Sequence, residues 1–420
     1  MKTLVLCIDA LFSRDLKTLK SDPNFAPLFH RAVAVENIEA VYPTLTYPTH
    51  VSIVSGVTPK NHGVIANQPL DPATENYDWF WYYDQIHAKT VFDALHEANL
   101  TTSAIFWPVT AGGPIDYLVP EIWGREADAL PIVRAYSSHN IDDILEAHRA
   151  HLTFEDKLEQ DTYGCLCAED IIHRHNPDVM FVHFCLIDKT RHVYGIDHPY
   201  IQRDLKVMGK LFARIMDAVH DVQQEEPTVV ILGDHGHIDY THNLLPNTEF
   251  EKLGWVDRIH PENYQVYCHG CGISAQIYLR SRQYAPEVET LFDNWKRQGY
   301  LYDYYTREEV SEMGLDGGFA YVLEAADGFS IISSFGSSFV DALQLPEGSA
   351  GCGNHGHLPG RGNKPPFMVS SPSIQGFTRV ENGSMLDLAA TLCGIHGIEP
   401  WQMQGNEIKE IVQSFRINDR

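Results

Sequence analysis

The sequence predicts an α/β protein: a mostly parallel central sheet with helices on both faces and a smaller inserted cap. Three observations point there. Short apolar runs alternate with stretches of helical period, the pattern of strands joined by crossover helices. Three apolar runs far apart in the chain each end in an acidic residue. After Asp239 the texture changes, so that 1–244 and 336–420 read as the core and 245–335 as the inserted cap.

Taken in order, Leu4–Ile8 is the first strand, ending in Asp9. Val51–Ser55 follows a loop of prolines and threonines and starts a helix. Val91, Phe92, Leu95 and Ala98 repeat at helical spacing, so Thr90–Ala98 is a helix. Thr102–Phe106 reads as a strand and Asp161–His175 as a helix. Val179–Ile187 is a buried strand ending in Asp188, and Ile201–Val222 is a long amphipathic helix. Thr228–Leu232 is another buried strand, closed by Gly233-Asp234-His235. In the cap, Tyr264–Leu279 alternates like an exposed strand and Pro286–Arg297 is helical. Phe319–Leu323 and Phe329–Ile332 add further strands. Leu345–Pro366, rich in Gly and Pro, is a loop, and Met385–Cys393 is a helix.

The 420 residues carry 31 basic and 56 acidic side chains, a net charge of −25. That balance argues against a nucleic-acid polymer or an anionic membrane as partner, since both need a basic face. It leaves room for a small anionic substrate where bound cations invert the local sign. Met1-Lys2-Thr3 runs straight into the first strand without a cleavage site, and Ala98–Ile115 is too polar for a membrane span. The eight cysteines lack the density of a disulfide scaffold. Together these place the chain in the cytoplasm with reduced thiols, as an expectation. The oligomeric state is left open.

Asp9, Asp188 and Asp234 at strand ends would converge on the C-terminal edge of a parallel sheet, where sites assemble. Three carboxylates there repel one another unless cations neutralise them. Asp188 and His192, four apart, can face one point and suit zinc. His355 or His357 in Gly351-Cys352-Gly353-Asn354-His355-Gly356-His357 can reach a site from a loop. Thr44, Thr46 and Thr49 precede or open a helix, where N–H groups favour an anion. Coordination to a metal would make one of them a nucleophile. Cys268-His269-Gly270-Cys271 has metal-like spacing but no matching second pair.

Taken together, these residues resemble the nucleotide pyrophosphatase/phosphodiesterase (type I phosphodiesterase) family of the alkaline phosphatase superfamily. The resemblance rests on Asp9, on Tyr42–Gly56 with Thr58–Asn67, on Phe106-Trp107-Pro108, on Asp188 with His192, on Gly233–Gly236 and on Asn354-His355-Gly356. The stretch from Thr46 to Asn67 is its specific part. It implies an alkaline-phosphatase-like core and a metal-dependent hydrolase of small phosphoester substrates. It makes Thr46 the nucleophile and picks Thr46 and His355 from their neighbours. Two zinc ions are implied, one on Asp9, Thr46, Asp234 and His235, the other on Asp188, His192 and His355. Asn67 and the Tyr47 backbone N–H would donate to a phosphate oxygen, and the Tyr47 ring would stack on a nucleobase, with Trp107, Tyr117 and Trp123 as candidates for the opposite wall. The implied reaction is hydrolysis of phosphodiester or pyrophosphate bonds in nucleotide-like substrates through a phospho-threonine. The alternative at the same site is phosphomonoester hydrolysis or C–P cleavage of the phosphonoacetate-hydrolase kind. That would need basic groups in the pocket, for which Lys60, Lys189, Arg191 and Arg361 are the local candidates.

Overall fold

The structure, a computed structural model, describes residues 1–74, 77–126 and 128–416. Its centre is an eight-stranded sheet. The first six strands along the chain are β1 (Thr3–Ile8), β2 (Ala32–Glu39), β3 (Thr102–Ile105), β4 (Tyr117–Val119), β5 (Val179–Phe184) and β6 (Thr228–Leu232). Phe367–Ser370 lies between β2 and β6, and Phe377–Ser384 forms the edge beyond β2. From there the order continues β6, β1, β5, β3, β4. All neighbours are parallel except Phe367–Ser370, which runs against both β2 and β6. The sheet is therefore mostly parallel, as the alternation of apolar runs predicts.

Successive side chains of β1 serve opposite layers, as a pleated strand requires. Leu4, Leu6 and Ile8 join one apolar cluster with helices α3 (Lys157–His175) and α5 (Tyr200–Val222). Val5 and Cys7 join a second cluster with α1 (Thr46–Ser55), α2 (Val91–Glu97) and α7 (Asp387–Ile395). On α5, Ile201, Leu205, Met208, Phe212, Ile215 and Val219 are buried at the 3.6-residue period that the sequence shows. Helices thus cover both faces. No helix among the described residues is long and apolar enough to cross a membrane.

The chain after β6 builds two smaller sheets. Leu301–Thr306, Tyr321–Ala325, Ser274–Leu279 and Val266–Cys271 form one antiparallel sheet in that order. Val288, Phe292 and Trp295 of α6 (Ala285–Arg297) are buried with it. Ile238–Leu244 pairs with Gly328–Ile331, Val340–Ala342 and Cys352–Asn354 in the other.

The structure corrects several sequence expectations. Tyr264–Leu279 is not one exposed strand but a buried hairpin, turning at Gly272-Ile273 where Gly272 takes φ +80°. The Leu345–Pro366 loop contains the short strand Cys352–Asn354. The run Val179–Ile187 stops being a strand at Phe184, and Leu186–Tyr194 is a helix, α4. The cause lies on another element. Buried Asp161 of α3 accepts the N–H of Cys185 at 2.8 Å and of Leu186 at 3.0 Å, and so caps α4. Burial pushes this carboxyl up to about 7. Asp161→Ala leaves two N–H groups unpaired and is expected to cost about 1–3 kcal/mol. Because α4 carries Asp188 and His192, cation affinity should fall with it. A melt and a metal titration check both, and unchanged affinity would show that α4 is held without this cap.

Candidate active site

The central strands β6, β1 and β5 are neighbours, so the segments that leave their C-terminal ends meet at one place. Asp234 comes just after β6, Asp9 just after β1, and Asp188 enters in the first turn of α4 beyond β5. Thr46 is the first residue of α1, and His235 succeeds Asp234 in the irregular segment between β6 and Ile238–Leu244. Glycines let the backbones close in. A Cβ on Gly236 would lie 1.7 Å from the Asn363 oxygen, and one on Gly356 (φ +88°) 1.8 Å from the Cys271 oxygen.

His235 Nε2 lies 3.1 Å from Thr46 Oγ1, 3.3 Å from Asp9 Oδ1 and 3.2 Å from Asp234 Oδ2. A tetrahedral zinc with bonds of ~2.0 Å has ligand-to-ligand edges of roughly 3.3 Å. These three spacings match that edge. Asp9 Oδ1 and Asp234 Oδ2 are buried without a hydrogen-bond partner among the described residues, as expected of atoms that face a cation. The other Asp234 oxygen accepts the Ala10 N–H at 3.0 Å, which fixes the carboxylate.

A second donor set adjoins the first. Asp188 Oδ1 lies 3.3 Å from His192 Nε2 and 4.0 Å from His355 Nε2. His192 Nδ1 donates to the Gly353 carbonyl at 2.8 Å, which leaves its Nε2 lone pair facing inward. Ligand atoms of Asp9, Asp188 and His235 lie within 4.8 Å of one another, so the two sets abut. His237 belongs to this second group, its Nε2 2.8 Å from Asp188 Oδ1, and sequence reasoning missed it. The signal was available in Asp234-His235-Gly236-His237. Residues two apart on an extended chain share a side.

The ambiguous neighbours separate cleanly. Thr44 Oγ1 donates to the His357 carbonyl at 2.9 Å and accepts the Gly356 N–H, so it ties down the His355 loop. Thr49 is fully buried, and His357 turns its Nδ1 to the Leu358 carbonyl. The same loop is clasped by Glu324, which takes the Leu358 N–H at 3.0 Å and Arg361 at 2.6 Å. Burial pushes the Glu324 carboxyl up to about 7. A folded-state pKa above the unfolded one means stability is lost as pH rises, here between about 4.5 and 7. Glu324→Gln removes that loss. Relative to wild type it should gain stability from pH 5 to pH 8, by up to about 3 kcal/mol. Chemical denaturation at the two pH values tests this, and a constant difference would refute it.

Burial, then the charges of Asp234, Asp188 and Glu121, holds Asp9 well above the ordinary carboxylate range. Burial likewise raises Asp234. Burial would raise Asp188 too, but His192 and His237 beside it outweigh that and hold it well below. Burial keeps His235 neutral, with a pKa of about 3, and His355 well below its usual value. Neutral imidazoles and crowded carboxylates are the donor set of a divalent cation.

A cleft of about 900 Å³ opens over these groups. Asn67 lines it, but its Oδ1 accepts the Tyr47 N–H at 3.0 Å. The two donors expected to face a phosphate are therefore joined, leaving the Asn67 amide nitrogen to face outward. Tyr47 is buried, with its hydroxyl 3.3 Å from Glu121 and its ring packed on Trp79 at 5.1 Å. Trp123 lies 5.0 Å from Trp79 and 5.3 Å from Phe154. Tyr77, Trp79, Trp123 and Phe154 make the apolar wall. Of the aromatics singled out in the sequence, Trp123 lines it. Trp107 is buried against His50 and Phe181, and Tyr117 stacks on His175.

Of the four basic candidates, Lys189 lines the cleft. Arg191 is buried against Phe12 and pairs with Asp15, Arg361 pairs with Glu324 and Asp327, and Lys60 reaches the Ser311 carbonyl. Arg125 and Lys157 join the lining, balanced by Glu121, Glu126 and Glu155. Cys268 and Cys271, three apart on one strand, face opposite sides and share no ligand point.

The model of the family described as type I phosphodiesterase / nucleotide pyrophosphatase matches residues 3–357. The chain is 21% identical to human bis(5'-adenosyl)-triphosphatase ENPP4 over 96% of its own length and 80% of that protein. It is 29% identical to rat ectonucleotide pyrophosphatase/phosphodiesterase family member 1 over 51% of itself, but only 21% of that longer protein. Among solved structures, murine ectonucleotide pyrophosphatase / phosphodiesterase 5 superposes with a TM-score of 0.68 at 18% identity, covering 97% of this chain and 98% of that one. An inactive threonine-to-alanine form of the murine protein in complex with AMP gives 0.69 at 18% identity, covering 98% and 99%.

Proposed function

The chain belongs to the type I phosphodiesterase / nucleotide pyrophosphatase family, and from that premise we propose that it hydrolyses phosphodiester or pyrophosphate bonds of nucleotide-like small molecules through a covalent phospho-threonine on Thr46. Family membership makes it a metal-dependent hydrolase of phosphoester bonds. The single observation that carries the finer reading is the meeting of Thr46 Oγ1, Asp9 Oδ1 and Asp234 Oδ2 around His235 Nε2 at 3.1–3.3 Å.

Asp9, Thr46, Asp234 and His235 would hold one cation, and Asp188, His192 and His355 the other, with zinc favoured by the nitrogen-rich second set. Bound there, the pair would supply Lewis-acid charge to an in-line displacement. The protein's own groups do the rest. The first turn of α1 presents the Thr46 hydroxyl toward the cleft, and His50 Nδ1 holds the Thr46 carbonyl at 2.8 Å. The Asn67 amide nitrogen stands ready for a phosphate oxygen. The Trp79, Trp123 and Tyr77 wall offers flat apolar surface to a base, beside rather than on Tyr47. AMP in a neighbour of the same fold, inactivated at a threonine, supports both nucleophile type and substrate class. The eight cysteines, all free in the structure, support a cytoplasmic location, which we propose with the rest.

The test is a side-by-side rate comparison on a bis-aryl phosphate, an aryl phosphonate, an aryl monophosphate and a dinucleotide. The diester and dinucleotide should be turned over at least tenfold faster in kcat/KM than the monoester. Equal or better monoester activity would overturn the diesterase reading and point to Lys189, Arg125 and Lys157 as dianion binders.

A further inference from the structure

We propose that His237 is a fourth protein ligand of the cation held by Asp188, His192 and His355. The inference rests on the two-cation reading of the site and extends it.

Three imidazole nitrogens converge on one carboxylate oxygen. His237 Nε2, His192 Nε2 and His355 Nε2 stand 2.8, 3.3 and 4.0 Å from Asp188 Oδ1. These spacings bracket the roughly 3.3 Å edge of a tetrahedral site with ~2.0 Å bonds. All four ligand atoms lie within 4.8 Å of one another. The rings surround the point from different directions, with the planes of His192 and His237 at 57° and those of His237 and His355 at 68°. That is the disposition of ligands about a centre rather than of a stack.

A hydrogen bond to Asp188 does not by itself account for His237. The residue is fully buried, and its Nδ1 has no partner among the described residues. A neutral imidazole carries one proton. Placed on Nε2 it serves Asp188 and leaves Nδ1 a buried acceptor without a donor. Placed on Nδ1 it leaves a buried donor without an acceptor and turns the Nε2 lone pair on a carboxylate oxygen. A cation at the convergence point gives that lone pair a partner, so that only the Nδ1–H stays unpaired among the described residues. The backbone is shaped to admit the ring: a Cβ on Gly353 would come within 2.8 Å of His237 Nδ1, so glycine at 353 makes the room. The same Gly353 carbonyl orients His192. A set of three neutral imidazoles and one carboxylate leaves this cation with net positive charge, unlike its neighbour between Asp9 and Asp234.

The experiment titrates metal-free full-length protein with Co2+, read by visible absorption and by chelator competition, for wild type, His237→Ala and His237→Gln. Wild type should bind two Co2+ per chain, each with the intense absorption of a four-ligand tetrahedral site, and the ion of the Asp188 set should add its own band as its step of the titration fills. Both variants should lose more than half of that band and bind one ion at least tenfold more weakly, with the other within threefold. The glutamine keeps a donor for Asp188, so full restoration by glutamine would overturn the proposal in favour of an orienting role. No change in either variant would overturn it as well. A measurement on wild type needs no variant to fold: four imidazole N–H protons should be strongly shifted in the Co2+-loaded protein, from His192, His235, His237 and His355, and three would refute the assignment. Fewer than two Co2+ per wild-type chain would instead bring down the two-cation reading, and this inference with it.

Discussion

Replacing Thr46 by alanine is expected to lower kcat on an activated aryl phosphodiester by on the order of 10⁴-fold or more, with cation content kept. On the proposed reading Thr46 is the nucleophile, the group whose loss leaves the other elements without a reaction to assist, which is why the effect is so large. Asp9, Asp234 and His235 remain as three donors of the first set, so one cation per set should survive. The neighbouring threonines are internal controls. Thr44→Ala breaks two buried hydrogen bonds to the His355 loop and should cost about 1–3 kcal/mol of stability with a smaller loss of rate. Thr49→Ala removes a buried hydroxyl that has no partner among the described residues and should leave kcat within about threefold. Acid-quenched wild type should carry on Thr46 the phosphoryl group with its remaining ester substituent, one aryl alcohol having left. A near-wild-type rate in Thr46→Ala would show that the nucleophile is another group.

How far the sequence reaches can be judged from particular residues. Asp9 and Asp234 are legible at strand ends, because a buried parallel strand is a short apolar run and its end is marked by the first acid. Asp188 reaches the same edge, but on a helix. The capping carboxylate that starts that helix is Asp161, 25 residues away from Leu186, and no local pattern records it. Phe367–Ser370 and Phe377–Ser384 are illegible for the same kind of reason. Phe377–Ser384 is an exposed polar edge, and Phe367–Ser370 follows two prolines after a glycine-rich loop. Pairing with neighbours, not intrinsic pattern, makes these segments strands. Choosing Thr46 over Thr44 and Thr49 needs the family resemblance. The structure gives the physical distinction, since each hydroxyl has a different surrounding. Tyr47 shows the opposite limit. An aromatic beside the nucleophile suggests base stacking, and Tyr47 does line the cleft, but its ring is buried against Trp79 with its hydroxyl at Glu121, which no sequence pattern records. The walls of the cleft, Tyr77, Trp79 and Phe154, come from segments whose sequence carries no periodic or motif signal.

Asp234→Asn is expected to have opposite effects with and without cation, and this separates an electrostatic role from simple packing. In the cation-free protein Asp234 Oδ2 is buried near Asp9 and has no hydrogen-bond partner among the described residues. Two carboxylates crowded there repel, and burial makes each costly to ionise. Asparagine keeps the oxygen that accepts the Ala10 N–H and removes the charge, so the cation-free variant should melt at or above wild type. With saturating zinc the order should reverse. Each bound ion at 100 times its Kd adds about 2.7 kcal/mol, and the variant forfeits one of them. Its amide nitrogen would also stand where Oδ2 lies 3.2 Å from His235 Nε2, a donor in place of a ligand. Losing that ion removes several kcal/mol of transition-state stabilisation, on the order of a 10³-fold fall in kcat. Paired melts with and without zinc, and metal analysis of the dialysed protein, read every part of this. A variant destabilised equally in both states would mean that Asp234 holds the fold and not a cation.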